Sequence, residues 1–536
     1  MTALHPPLAR RLDSMSAVLS AVAAYVPPNS VSKLEQAVLK GVNPTNDKAL
    51  LAAVTQAIQA GLDPLGDAYC VINSPEARRG RGQTFTPDFV VEGMMAWVRR
   101  QRRSVARLVD PGAGSGRFTL AALRAFPKAE AIAAEMDPVV ALILRANLAA
   151  AGFSLRAEVR VADFRDLELA PIKGTTLFLG NPPYVRHHDI GADWKAWYTK
   201  TLRHFGYEGS QLAGLHLHFF LKTLELGRPG DLGCFVTAAE WLDVKYGQAL
   251  RQLLTNGLGG KDIFVVDPEV QVFGDAMVSA AITGFSHASD RTALRFAEVG
   301  SEAQLRKLTA GKPVTVEAAK AEPRWSFLVK GGRAEKPEGY IELGEMFKVS
   351  RGTVTGLNRV WVASPGAPDL PSRFLVPAIT DSTDITQAKA GVIENAKELR
   401  RLVCLPRNLQ ELGRAERTAV ERFLAWARSL GAHETYIAKH RNPWWSLSAK
   451  AAAPIVMTYM GRRPPAFALN QAGAQLINVA HGLYPLRDFN ESQLSRVVAW
   501  LNENVQQSDG RVYAGGLTKF EPGEAMRILV PGELAL

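Results

Sequence analysis

Apolar positions along the chain fall into three regimes. In the first, they recur at helical spacing: 15–26 (MSAVLSAVAAYV), then LEQAVLKGV and NDKALLAAVTQAIQAGLDPL between Ser32 and Pro64. Gly61 and Pro64 are expected to end this helical run. The 15–26 stretch is far shorter than the ~20 apolar residues of a membrane span, and it has no cleavage site before Pro27, so it reads as a buried helix. A basic, glycine-rich joint follows at Arg78-Arg79-Gly80-Arg81-Gly82.

In the second regime, from about Phe85 to Ser286, short apolar runs alternate with helical stretches. Strands are predicted at 106–110, 131–135, 158–163, 176–180, 232–237, 262–267 and 279–285, and helices at 88–101, 117–126, 138–151, 212–227 and 245–257. Alternation of this kind builds an α/β domain, a doubly wound and mostly parallel sheet with helices on both faces. The stretch 330–340 (KGGRAEKPEGY) reads as a linker. Beyond it, in the third regime, short strands, aromatic-rich loops and helices such as 415–430 and 492–505 mix in an α+β pattern. The expected organisation is a helical N-terminal segment over 1–77, an α/β domain over 78–329, the linker, and a second domain over 341–536.

Composition narrows the class. At 536 residues the chain holds about three domains of roughly 150–200 residues, or two large ones. A hydrophobic share of 47% and a mean hydropathy of −0.04 exclude a disordered or fibrous chain. Cys70, Cys234 and Cys404 lie far apart without a CxxC pair, which argues against a zinc ribbon and for reduced thiols in a cytoplasm. No metal site is expected. The net charge of +11 favours a polyanionic partner, although a solvated surface explains it about as well.

Two segments carry chemistry. Asp110-Pro111-Gly112-Ala113-Gly114-Ser115-Gly116 follows the strand RLVD and opens the helix RFTLAALRAF. Glycines at a strand-to-helix turn let backbone N–H groups approach a ligand closely. The next strand ends in Glu135, placed to accept hydrogen bonds from ribose hydroxyls, so the pair reads as an adenosine-cofactor site. A dinucleotide and S-adenosylmethionine both fit. Because GxGxxG spacing is missing, the balance leans toward the latter.

The second segment, Asn181-Pro182-Pro183-Tyr184, is a rigid loop at the carboxyl edge of the sheet, where ligands bind. An exocyclic amino group is a poor nucleophile because its lone pair is delocalised into the ring. The Asn181 side-chain oxygen and the Pro182 carbonyl can accept both amino hydrogens, which frees that lone pair for attack on a methyl group. Tyr184 offers a face for a base that has left the duplex.

These elements, in this order, resemble the gamma class of S-adenosylmethionine-dependent DNA adenine-N6 methyltransferases, the TaqI-like type of restriction–modification systems. GQTFTPDFVV (82–91), DPGAGSGRF (110–118), AEMDP (134–138), VADFRD (161–166), NPPYV (181–185) and VFGDAMVSAAI (272–282) carry the resemblance. It implies a Rossmann-like methyltransferase domain. It also implies that Thr86, Asp110, Gly112, Gly114, Glu135, Met136, Asp163, Phe164, Asn181 and Pro183 meet the cofactor, and that Asn181, Pro182, Tyr184 and Phe273 serve the target base. Double-stranded DNA and a separately encoded restriction endonuclease are the implied partners, in a prokaryotic cytoplasm without a membrane.

FKVSRGTVTGLNRVWV (347–362) resembles the start of these enzymes' recognition domains, which gives 341–536 that role. Basic and aromatic residues interleave there at 439–445 (KHRNPWW), at Arg462-Arg463, and at Tyr513 with Lys519; Arg78, Arg79 and Arg81 are further phosphate candidates. Other readings stay open at this level. The same loop occurs in enzymes that methylate RNA or protein glutamine, but those usually lack a large C-terminal domain. Cytosine-N4 enzymes more often have Ser where Asn181 stands. A non-catalytic DNA-binding protein with a vestigial fold is opposed by the intact Gly112, Glu135 and Asn181. A fused nuclease would need more chain than the segment before Arg78 supplies.

Overall fold

Each predicted strand forms in the computed structural model, in register with a neighbour: β1 (Val105–Pro111), β2 (Glu130–Ala134), β3 (Ala157–Arg160), β4 (Thr175–Gly180), β5 (Leu232–Ala238), β6 (Gly260–Val266) and β7 (Ala280–Ser286). The structure describes residues 8, 10–27, 30–79, 82–267, 270, 272, 279–289, 291–329, 336–447, 451–513 and 517–536, with backbone alone at 79, 508, 512 and 513. It forms two units, Met1–Arg333 and Ala334–Leu536.

In the first unit two further strands, β8 (Ala293–Val299) and β9 (Lys312–Thr315), extend the sheet to nine in the order β3-β2-β1-β4-β5-β7-β6-β8-β9. Pairs around β1, β2 and β4 are parallel, whereas β7 runs antiparallel to both β5 and β6. The chain winds outward from β1 to β3, then returns to β4 beside β1. The carboxyl ends of β1 and β4 therefore flank the switch point, where open α/β sheets bind ligands. Core strands β4 and β5 are buried along nearly their whole length, as helices on both faces require.

Helices Asp88–Arg100, Arg117–Ala125 and Pro138–Ala150 form as the periodicity predicts, while those expected at 212–227 and 245–257 shorten to Leu215–Leu226 and Gln248–Thr255. An additional helix, Ala192–His204, buries only Tyr198 and Leu202, too narrow a stripe to stand out in the sequence. At the amino end, Met15–Tyr25, Lys33–Leu39 and Lys48–Gln59 pack against helix Pro138–Ala150. Buried Glu35 ties them to it: Arg145 Nε donates to Glu35 Oε1 at 2.6 Å. Pro64 corrects an expectation. It does not end a helix but begins Pro64–Ile72, with Asp63 as N-cap accepting from the Gly66 N–H at 3.0 Å.

The second unit is mixed α+β. A four-stranded antiparallel sheet takes the order Phe347–Arg351, Ala480–Pro485, Ile455–Thr458, Phe467–Leu469. Helix Glu491–Asn504 closes its core with Val497, Val498 and Leu501, and helix Arg414–Ser429 centres a second core with Val420 and Phe423. Tyr340 is already in a strand, paired with Pro531. Residues 330–335 of the expected linker lie outside the described residues. Among the described residues no helix is long and apolar enough to cross a membrane.

Candidate active site

A cavity of about 600 Å³ opens at the carboxyl ends of β1, β2 and β4. That volume lies within the usual range of small-molecule and cofactor sites, roughly 300–1,000 Å³. Its walls bring together Thr86, Gly112, Gly114, Glu135, Met136, Asp163, Phe164, Asn181 and Pro183.

The glycine loop leaves β1 with Gly112 at φ +71°, Gly114 at +57° and Gly116 at +94°. Gly116 also lacks room: a β-carbon there would come within 2.3 Å of Leu144 Cδ1. At Gly112 a β-carbon would touch Pro183 at 3.5 Å, so the loop and the Asn-Pro-Pro-Tyr turn lie against each other. Glu135 bridges the loop to the next turn. Its Oε2 accepts from the Gly114 N–H and its Oε1 from the Asp137 N–H, each at 2.9 Å. Burial raises its pKa against those backbone bonds. A carboxylate offers about four acceptor sites, which leaves room on Glu135 for an incoming hydroxyl beside the backbone donors. Met136 beside it is 63% exposed, a large apolar side chain held out to solvent at the cavity wall.

Asp163 is held by Arg165, whose Nη2 donates to Oδ2 at 2.6 Å and whose Nε donates to Oδ1 at 3.0 Å. The Arg165 guanidinium in turn lies 3.9 Å from the Trp194 ring centre, so the unforeseen helix Ala192–His204 supports this wall. Buried Phe164 packs on Phe219, with ring centres 5.0 Å apart.

Asn181 follows β4 directly. Its Nδ2 donates to the Thr84 carbonyl at 3.2 Å and to Thr86 Oγ1 at 3.1 Å. These two acceptors fix the amide, because only the nitrogen can face the Thr84 carbonyl. Its Oδ1 is buried and has no hydrogen-bond partner among the described residues. An unpaired buried acceptor is uncommon and marks a place where a partner is expected.

Three expected site residues are not on the wall of this cavity. Asp110 is fully buried behind the loop, accepting from Thr119 Oγ1 at 2.6 Å, and does not line the cavity. Burial pushes its pKa up to about 7, the Thr119 bonds oppose this, and Glu135 adds to it. Pro182 and Tyr184 are also off the cavity wall; the Tyr184 ring packs at the edge of the first core, and burial raises its pKa. Phe273 lies outside the described residues.

Arg78 is a correction: it is buried, with Nε on the Asn73 carbonyl at 3.1 Å and Nη1 on the Gln83 carbonyl at 3.3 Å, and is no surface phosphate ligand. The Arg79 side chain and Arg81 lie outside the described residues. In the second unit, Trp444 and Trp445 pack into a core, and Arg441 donates to the Thr355 carbonyl at 3.3 Å, so much of the 439–445 cluster is structural.

Sequence reasoning missed what supports the loops around this cavity. Arg117 occupies the first turn of its helix, where a cation is electrostatically disfavoured, and that misplacement was a legible signal of nearby carboxylates. They are Asp63 and Asp67, at 2.8 and 2.6 Å.

The sheet order, the glycine loop facing an acid across the switch point, and the adjoining Asn-Pro-Pro-Tyr turn define a Rossmann-like methyltransferase. Comparison with known proteins narrows the class. Residues 332–535 match the family model "Type II methyltransferase M.Eco57I, C-terminal domain", and 174–273 match "Eco57I restriction-modification methylase". Type II methyltransferase M.XamI of Xanthomonas campestris pv. amaranthicola is 45% identical over 531 residues, covering 99% of this chain and 97% of that protein. A tRNA1(Val) (adenine(37)-N6)-methyltransferase of Porphyromonas gingivalis is 35% identical over 81 residues, 15% of this chain and 32% of its own. A cryo-EM structure of a DrdV–DNA complex shares the fold at TM-score 0.50 and 12% identity, over 91% of this chain and 60% of that one. The chain belongs to the type II DNA methyltransferases of restriction–modification systems.

Proposed function

We propose that this enzyme transfers a methyl group from S-adenosylmethionine to N6 of an adenine flipped out of double-stranded DNA. The observation that carries the reading is the Asn181 amide: its nitrogen is tied to Thr84 and Thr86, and its buried oxygen is left without a partner. That oxygen accepts one hydrogen of the adenine amino group, and the Pro182 carbonyl accepts the other. With both hydrogens held, the nitrogen lone pair turns out of conjugation toward the methyl donor. No general base of tuned pKa is needed before transfer.

The cavity residues fit the cofactor. Glu135 has free lone pairs toward ribose hydroxyls, Met136 and Phe164 offer apolar faces to an adenine ring, and Asp163 accepts from its amino group. When bound, S-adenosylmethionine supplies an electrophilic sulfonium methyl; the protein's part is to bind it, shield it from water and aim the acceptor. Adenine as target is supported by Asn rather than Ser at 181, and by the adenine-N6 activity named for the shorter relative. The second unit is read as the DNA-recognition domain. A separately encoded endonuclease and a cytoplasmic setting complete the restriction–modification role.

The test is transfer of tritiated methyl from S-adenosylmethionine to genomic DNA, total RNA and ribosomal protein, with Asn181→Ala alongside. Label in DNA that digests to N6-methyladenine and disappears in the variant is expected. N4-methylcytosine, or label confined to RNA or protein, overturns the proposed substrate.

A further inference from the structure

Between the cofactor cavity and a second cavity of about 360 Å³ stands a thin wall that Ser115 and Arg117 share. Buried Asp63, contributed by the N-terminal helices, lines the second cavity and contacts both shared residues. Four donors converge on this one carboxylate. Oδ1 accepts from the Gly66 N–H at 3.0 Å and Asn147 Nδ2 at 2.9 Å; Oδ2 accepts from Ser115 Oγ at 2.5 Å and Arg117 Nε at 2.8 Å. Arg117 uses its remaining nitrogens on Asp67 Oδ1 at 2.6 Å and on the backbone carbonyl of Thr86 at 2.8 Å. Thr86 is itself an acceptor for the Asn181 amide.

The contacts therefore run without a gap from the helical segment, through the glycine loop, to the acceptor amide. Amide torsions of Asn are soft and broad, so the direction of the Asn181 oxygen is set by where Thr84 and Thr86 stand. Those residues belong to an irregular segment, 82–87, with no ladder of its own. The Arg117 bond to the Thr86 carbonyl anchors it, and Asp63 holds Arg117 in a rigid fork geometry.

We propose that Asp63 and Arg117 are positioning residues for methyl transfer: they lock the glycine loop to the 84–86 segment and so aim the Asn181 oxygen. The proposal rests on the reading of Asn181 given above. Its consequence is that the N-terminal helices are part of the active site rather than an appendage to it.

The experiment is single-turnover methyl transfer at saturating S-adenosylmethionine and DNA, with rates expressed per folded molecule by cofactor-binding stoichiometry. Misplacing a reacting group by about 1 Å lowers rates on the order of 100-fold. Asp63→Asn and Arg117→Lys are thus expected to lower the saturated rate about 10- to 100-fold with little change in KM for DNA. Thr86→Val is expected to do the same, and Thr86→Ser, which keeps the acceptor oxygen, to restore most of the rate. Asp63→Asn combined with Thr86→Val should lose less than the product of the single losses, because both act on one amide. If Asp63→Asn lowers only the melting temperature, leaving the saturated rate per folded molecule unchanged, the positioning role is overturned. If that variant does not fold, Arg117→Lys and the Thr86 pair decide in the same way. Asn181→Ala separates the two readings: loss of transfer there with full rates in the Asp63 and Arg117 variants sinks this proposal alone, whereas unimpaired Asn181→Ala sinks the functional reading beneath it.

Discussion

Asp110→Asn should make the first unit less sensitive to pH, by an amount the structure sets. Asp110 is fully buried, and its Oδ1 has no hydrogen-bond partner among the described residues. Burial, only partly opposed by Thr119, raises its pKa from the ordinary 3.8 to about 7. Between those values the folded protein keeps a proton that the unfolded chain has released. The stabilisation this proton provides is complete below about pH 4 and gone once the pH has risen through about 7. At about 1.4 kcal/mol per pH unit, the wild type loses about 3 kcal/mol from this group between pH 5 and pH 8. Asparagine has nearly the same shape and no proton to lose. The stability of the variant relative to wild type should therefore rise by about 3 kcal/mol over that range. For a unit of 333 residues, at about 2.1 cal/mol/K per residue, this equals about 4 °C in melting temperature. Thermal unfolding of both proteins from pH 5 to 8, without cofactor and at constant ionic strength, measures the difference. An offset that stays flat across the range would show that Asp110 titrates like an exposed carboxyl, and the argument from burial would fail.

Glu135→Gln replaces one of two bonded oxygens with an amide that meets a backbone N–H donor. S-adenosylmethionine affinity should fall on the order of 100-fold by calorimetric titration, and an unchanged Kd would sink the ribose assignment. Gly116→Ala combines a left-handed backbone with a β-carbon 2.3 Å from Leu144 Cδ1. Denaturant unfolding should show a loss of about 2–4 kcal/mol, and a loss under about 1 kcal/mol would mean the helix shifts freely. Glu35→Ala leaves Arg145, on the Pro138–Ala150 helix, without its carboxylate partner; a loss of about 3 kcal/mol is expected, recovered in large part by replacing both partners with Met, and failure of the double replacement to recover it would point to packing rather than charge.

The parallel half of the sheet was legible because each strand is a short apolar run between a turn and a helix, as in TLFLG before Asn181. The cavity was legible for the same reason: its glycines, Glu135 and Asn181 all sit at strand ends, fixed by local sequence. β8 was not, since Arg295 and Glu298 interrupt its apolar positions, and β9 is four residues long with a proline inside. Helix Ala192–His204 hid behind its polar face. Pro64 misled because proline ends one helix and begins the next with equal ease, and only the Asp63 cap distinguishes the two. Arg78 looked like a free cation because nothing local shows that it folds back onto the carbonyls of Asn73 and Gln83. The role of Asp63 was beyond reach of pattern: its partners Ser115 and Arg117 lie 52 and 54 residues away, joined only by tertiary packing.

The antiparallel strand β7, wedged between β5 and β6, dictates the order in which the sheet can close. β5 and β6 never pair with each other; both wait for Ala280–Ser286, every residue of which is buried in the finished fold. During synthesis the growing chain therefore carries an unpaired apolar edge on β5 from the time that strand emerges, and an unpaired β6 as well once it follows, until Ser286 leaves the ribosome. Unpaired edges of that kind are templates for association with other chains. A nascent chain paused between β6 and β7 is the form most in need of a chaperone, and it is the arrival of β7 that joins the two halves of the sheet, before β8 and β9 complete its edge.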